Sequence, residues 1–150
     1  MTELQSLADQ VWIEALRGQF TDAVMMNDHD RLADLFVPHG RIRIPDAGLE
    51  VVGRDQIRAM GAQRETNFEV FVQTSHPGVV EVRGDTAIGR VYMSELIKSR
   101  NGGSHLNYAT YHDTYQRTSE GWRFVERRYE IRYLDTTPLA GGPVAGSRVA

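Results

Sequence analysis

The chain has 150 residues, 41% hydrophobic and 25% charged, which suits one globular domain able to bury a core without covalent staples. It contains no cysteine, which excludes disulfides, a thiolate nucleophile and cysteine-ligated metal. A net charge of −3 with no dense Lys/Arg block argues against a nucleic-acid partner. No stretch reaches the ~20 apolar residues of a membrane span. The first residues lack a basic segment followed by an apolar run, so a cytoplasmic location is expected.

In chain order, Thr2-Glu3-Leu4-Gln5 fits a capping box. Leu4, Leu7, Val11, Trp12, Leu16, Phe20 and Val24 then recur at helical spacing, with Gly18 as a possible bend. Asp28 can cap a second helix running to Leu35-Phe36, which Pro38-His39-Gly40 should end. Arg41 to Ile44 alternates like a short strand, with Val51-Val52 as its hairpin partner. Gly53-Arg54-Asp55 opens a third helix that buries Ile57, Met60 and Gly61. From Phe68 the pattern is β-like, with strands expected near 70–82, 86–98, 105–117 and 122–133. The Gly-, Pro- and Ala-rich end reads as an extended tail, giving a domain over 1–135 and a tail over 136–150.

The segment Asn107 to Tyr133 reads as an antiparallel hairpin turning at Thr118-Ser119-Glu120-Gly121. Ala109, Tyr111, Asp113 and Tyr115 share one face of its first strand, and Tyr108, Thr110, His112 and Thr114 the other. Both faces carry polar groups, which favours a polar-lined cavity over a dry core. Three helices followed by a long meander define an α+β domain, with a strongly curved, mainly antiparallel sheet wrapped around the helices. His105 and His112 are seven residues apart on one strand and so on opposite faces, and no His-x-x-x-His or Gly-rich phosphate loop occurs. No metal and no nucleotide are expected.

Asp28 to Phe36, Gly53 to Ile57, Gly121-Trp122-Arg123-Phe124 and Glu130-Ile131-Arg132-Tyr133, in this order and spacing, resemble the SnoaL-like branch of the NTF2-like superfamily. Within it the resemblance is to scytalone dehydratase and hexachlorocyclohexane dehydrochlorinase, over roughly residues 5 to 140. It implies a cone-shaped α+β barrel, cofactor-free acid–base chemistry on small, often aromatic or polyketide-like molecules, and homodimers or homotrimers. Packing through the outer sheet face fits such an assembly, because that face carries large apolar residues.

The resemblance also implies a general-base histidine near the start of the first long strand. By spacing this is His76, whose imidazole, with an ordinary pKa of ~6.5, suits proton abstraction near neutral pH. An orienting Asp belongs near the end of the first helix, but those positions hold Val24 and Met25. A second histidine would fall near Arg90-Val91, and a Ser and an Asn at Ala109 and Tyr111; none of these is present. Asp113 or Asp22 is then the expected carboxylate partner of His76. Tyr111 could donate to a developing enolate oxygen. Met25, Met26, Phe36 and Met60 are expected to form an apolar wall. Tyr92 and Arg128 are further binding candidates. Arg128 faces Tyr111 if Arg117 pairs with Trp122, unless a bulge inverts the parity.

Two readings remain open. One is a cofactor-independent lyase or isomerase centred on His76; the other is a non-catalytic module that binds a small ligand or serves as a structural subunit. A histidine on the solvent side of the sheet would favour the second.

Overall fold

The computed structural model describes residues 2–144; Met1 and the far end of the expected tail, 145–150, lie outside the described residues. Helix α1 (Glu3–Met25) begins at Thr2, whose side chain accepts from the Gln5 N–H at 3.0 Å. It continues unbroken past Gly18, which is exposed and approached by nothing within 4 Å. Ile13, Leu16, Phe20, Ala23 and Val24 form its buried stripe. Helix α2 (His29–Asp34) is capped by the Asp28 carboxylate, which accepts from the Arg31 N–H at 3.2 Å.

Strand β1 (Phe36–Ile44) starts where the sequence pattern suggested helix. The Leu35 carbonyl accepts from the Phe124 N–H at 2.9 Å, and Phe36 is fully buried against Phe20 and Phe124. Pro38-His39-Gly40 lies inside this strand at an irregularity in its pairing, rather than ending a helix. A 3-10 turn (Pro45–Ala47) and β2 (Leu49–Val52) complete the short hairpin. Helix α3 (Arg54–Asn67) enters from Gly53, whose φ of +87° is the left-handed backbone that glycine accepts.

Strands β3 (Phe68–Arg83), β4 (Thr86–Ser99), β5 (Ser104–Thr118) and β6 (Gly121–Asp135) form the expected antiparallel meander. The sheet order is β2-β1-β6-β5-β4-β3, with β1 parallel to β6. It is mixed and open, with β2 and β3 as edges, so it is not a closed barrel. Helix α1 lies on its inner face. There Phe20 meets Tyr111 and Phe124 edge-on, each at 5.7 Å between ring centroids. The segment after β6 returns beside the β4–β5 turn, where the Leu139 N–H donates to Ser104 Oγ at 3.0 Å. No helix among the described residues is long and apolar enough to cross a membrane.

Two closed polar clusters sit behind this sheet. Arg127, at 1% exposure, places Nε and Nη2 at 2.8 and 3.0 Å from the two Asp113 oxygens. The Tyr115 hydroxyl donates to Asp113 Oδ2 at 2.6 Å and accepts from Arg17 Nε at 2.8 Å. The Arg127 guanidinium also lies 3.9 Å from the Tyr111 ring centroid. Every charge in this cluster has an opposite neighbour, as burial requires. Nearer the end of the molecule, Asp9 takes two hydrogen bonds of 2.8 Å from Arg117 and one of 3.1 Å from Trp122 Nε1. The Arg117 hydrogen bond above all, against the opposing effect of burial, holds the Asp9 carboxyl down at about 2.

Candidate functional site

A third, open cluster begins with strand register. Gln73 of β3 pairs with Glu95 of β4, and Glu95 pairs with Asn107 of β5, so three inward side chains form one row across three strands. All three are buried. Gln73 Nε2 donates to Glu95 Oε1 at 2.9 Å. Past the bulge between Tyr108 and Ala109, Tyr111 lies across from Tyr129 of β6, their rings 5.1 Å apart at 67°. Arg64, from the last turn of α3, has Tyr111 and Glu95 as electrostatic neighbours and places its guanidinium carbon 5.0 Å from the Phe71 ring centroid.

These groups are only partly satisfied. Arg64 Nε and Nη2, Gln73 Oε1, Asn107 Oδ1 and the Tyr129 hydroxyl are all buried without a hydrogen-bond partner. The Tyr129 hydroxyl lies beside Glu95 and Asn107 without forming a bond of good geometry to either. Each unmet buried group costs roughly 1–3 kcal/mol, so this row is expensive unless something else uses it.

The charges are perturbed accordingly. Burial raises the Glu95 carboxyl above its ordinary value, against the opposing influence of Gln73, Tyr129, Arg64 and His105. Burial pushes Tyr111 up to about 12, and it raises Tyr129 further, with Glu95 adding to the effect. Burial also lowers Arg64, countered by Tyr111 and Glu95. A carboxyl held toward its neutral form, two phenols and a guanidinium with an unpartnered edge thus lie together in the interior. That combination can exchange a proton and hold an oxyanion.

The expected histidine is elsewhere. His76 pairs with Tyr92 on the outer face of the sheet, is exposed, and has Ser94 Oγ as its partner at 3.1 Å. Neither expected carboxylate accompanies it. Asp113 faces inward and is gripped by Arg127 and Tyr115, while Asp22 is exposed and pairs with Arg31 at 2.6 Å. The physical reason is period two: Gln73 faces inward, so His76, three residues on, faces outward.

Met25, at the helix-end position where the resemblance places an acid, does touch β3, but at Gln73. The Gln73 backbone N–H donates to Met25 Sδ at 3.3 Å. An uncharged thioether therefore stands at the helix end where an acid was sought, and it touches Gln73 rather than His76. Of the expected apolar wall, Met60 packs partly buried against the core and Phe36 belongs to the core itself, whereas Met26 is 68% exposed. Tyr92 is outward and exposed. Arg117 does pair with Trp122, but a shift between Thr114 and Tyr115 inverts the parity, so Tyr111 meets Tyr129 and Arg128 meets His112 on the outer face. There Arg128 and His112 line a groove of about 490 Å³ with Glu81, Arg90 and Glu126. Of the expected residues, Tyr111 alone borders the Glu95 cluster with its functional group, and Met25 touches its edge.

Glu95, Gln73, Asn107, Arg64 and Tyr129 were not singled out from sequence, although two signals were available. Val91, Met93, Glu95 and Ile97 share one strand parity, so the carboxylate interrupts an apolar face. Ile57, Met60, Gly61 and Arg64 likewise share the buried face of α3.

Helices followed by an open, mixed six-stranded sheet define an NTF2-like α+β protein. The chain belongs to the SnoaL-like domain family, whose model matches residues 5–128. Among solved structures, it is similar to hexachlorocyclohexane dehydrochlorinase LinA-type3 from Novosphingobium barchaimii LL02, at 22% identity and a TM-score of 0.82 over 93% of this chain and 96% of that one. A candidate scytalone dehydratase from Novosphingobium aromaticivorans superposes with a TM-score of 0.81 at 18% identity, over 97% and 98% of the two chains. A candidate aromatic ring hydroxylase from the same species gives 0.80 at 23% identity, over 87% and 94%. No curated protein matches the chain by sequence. Three different reactions are named on one fold, so the likeness establishes architecture and leaves chemistry to the site.

Proposed function

We propose that this protein is a cofactor-independent lyase or isomerase that moves a proton on a small molecule, with Glu95 as the acid–base group. The observation that carries this reading is the buried Glu95 carboxyl, raised by burial and set among unpartnered polar atoms. As a carboxylate, Glu95 would take a proton from the carbon next to a substrate carbonyl. The electron pair left behind would move toward the carbonyl oxygen, where Tyr129 or Tyr111 donates a hydrogen bond. Return of the proton to another carbon completes an isomerisation; loss of a β-hydroxyl or β-halide with its bonding electrons completes an elimination. A raised carboxyl suits this task because its proton affinity lies nearer that of the working solution.

The non-catalytic reading keeps one specific support: the helix end carries Met25 in place of the sought acid, and His76 is outside. One experiment separates the two. A panel of small β-hydroxy and β-chloro ketones is incubated with the protein in D2O, and exchange at the α-carbon or elimination is followed by NMR. The enzyme reading expects exchange or turnover by the wild type and a loss of ~10²-fold or more in Glu95→Gln, the size of a lost acid–base contribution. Wild-type protein that binds panel members yet exchanges nothing is a binding module. Full-rate exchange by Glu95→Gln removes Glu95 from the role.

A further inference from the structure

The buried guanidinium of Arg64 has a specific unmet geometry. Its unpartnered atoms are Nε and Nη2, the two donors that share one edge of the planar group. That edge forms the parallel two-bond fork with a carboxylate. The same molecule uses it: Arg127 holds Asp113 through Nε at 2.8 Å and Nη2 at 3.0 Å. In Arg64 the same edge is buried and unpartnered, while its guanidinium carbon lies 5.0 Å from the Phe71 ring centroid. Its electrostatic neighbours are Tyr111 and Glu95, and neither closes the fork.

We propose that the unpartnered atoms around Glu95 border a ligand cavity, that Arg64 is its specificity residue, and that the ligand is a small organic acid whose carboxylate docks on the Arg64 Nε/Nη2 edge. Two coplanar donors match two coplanar oxygens; a tetrahedral phosphate would leave further oxygens for which this edge has no donor. The remaining unmet atoms define the rest of the molecule. Gln73 Oε1 and Asn107 Oδ1 accept, so they call for hydroxyl or amine hydrogens, while the Tyr129 hydroxyl can donate to a carbonyl oxygen. The ligand is therefore a hydroxylated or keto acid. Its carboxylate is anchored under α3, and its reactive carbon lies toward Glu95. This inference rests on the cavity being the working site, as proposed above, but not on the reaction assigned to it.

The test uses benzoate and its neutral isostere benzamide as probes, titrated calorimetrically into the full chain. Wild-type protein should bind benzoate ~10–100-fold more tightly than benzamide, the range of a charge-assisted pair of hydrogen bonds. Arg64→Gln should bring benzoate down to the benzamide level while leaving benzamide unchanged. Arg64→Lys, which keeps the charge but loses the fork, should retain only part of the preference, and it serves as the decisive variant if Arg64→Gln fails to fold. Equal binding of the two probes by wild type, no binding of either, or a preference that survives both substitutions would overturn the proposal. If the preference is present but panel ketones that bind show no exchange, the enzyme reading fails and this one stands; exchange through Glu95 with no carboxylate preference gives the converse.

Discussion

Two arginines, Arg127 and Arg64, lie behind the same sheet and meet opposite fates. Arg127 is wrapped on all sides: Asp113 fills its fork, Tyr115 and Arg17 extend the network, and Phe20, Tyr111 and Phe124 cover its faces. Arg64 has one aromatic face covered and its fork unfilled. The charged residue types are alike, Arg with an acid and tyrosines, so composition does not separate the clusters. Completeness does. A closed network fixes a fold, because each member would be left uncompensated if another went. An open one leaves its donors and acceptors available to a ligand. Tyr111 belongs to both, with its ring under Arg127 and its hydroxyl environment shaped by Gln73 and Glu95.

The largest effect should come from opening the closed cluster. Asp113→Ala leaves Arg127 buried beside aromatic rings with no counter-charge. A broken buried pair costs ~3–5 kcal/mol, a large part of the ~5–15 kcal/mol by which such domains are stable. Chemical denaturation should show that loss as a lowered midpoint, or as failure to fold. A change under ~1 kcal/mol would mean that Arg127 finds another partner and that the cluster is less closed than its geometry implies.

The open cluster should respond in the opposite sense. Glu95 has a folded-state pKa raised above its ordinary 4.5. Its contribution to stability is therefore complete below the unfolded value and is lost as pH rises through the folded one. Glu95→Gln removes that ionisation and keeps the shape, so the variant should match wild type near ~pH 4 and be the more stable of the two at ~pH 8. Thermal melts across this range check the sign. A variant less stable at the alkaline end would make Glu95 a structural carboxylate, like Asp113.

The meander from Phe68 onward was legible because long strands, turn glycines and alternation agree with one another. Helix α1 was legible from its capping residue and apolar stripe. The parallel pairing of β1 with β6 was not, because β1 carries a proline and a glycine in its first half and is held by Phe36 packing that no local pattern reveals. The site was legible only in part. That polar groups lie on the inner face follows from Tyr111 and Asp113 sharing a strand face. Which cluster is closed depends on the bulge between Thr114 and Tyr115, and a one-residue shift exchanges Tyr129 for Arg128 opposite Tyr111. Spacing from a resemblance likewise placed the histidine without regard to parity.

The smallest effect should be that of His76. Its side chain is exposed, its partner is the Ser94 hydroxyl at 3.1 Å, and the strand on which it sits pairs with β4 through an unbroken register from Val70 to His76. Turning the imidazole inward would require β3 to slip by one residue. That slip would carry Gln73 out of the cavity, break its bond to Glu95, and expose the buried face of the strand, so no small motion achieves it. His76→Ala should therefore change stability by no more than ~0.5 kcal/mol, the range of surface substitutions. Exchange on the ketone panel should stay within ~2-fold of wild type, well short of a lost acid–base group. A hundredfold loss in His76→Ala with the melt unchanged would reverse the comparison, making the outer face the working one and Glu95 a buried support.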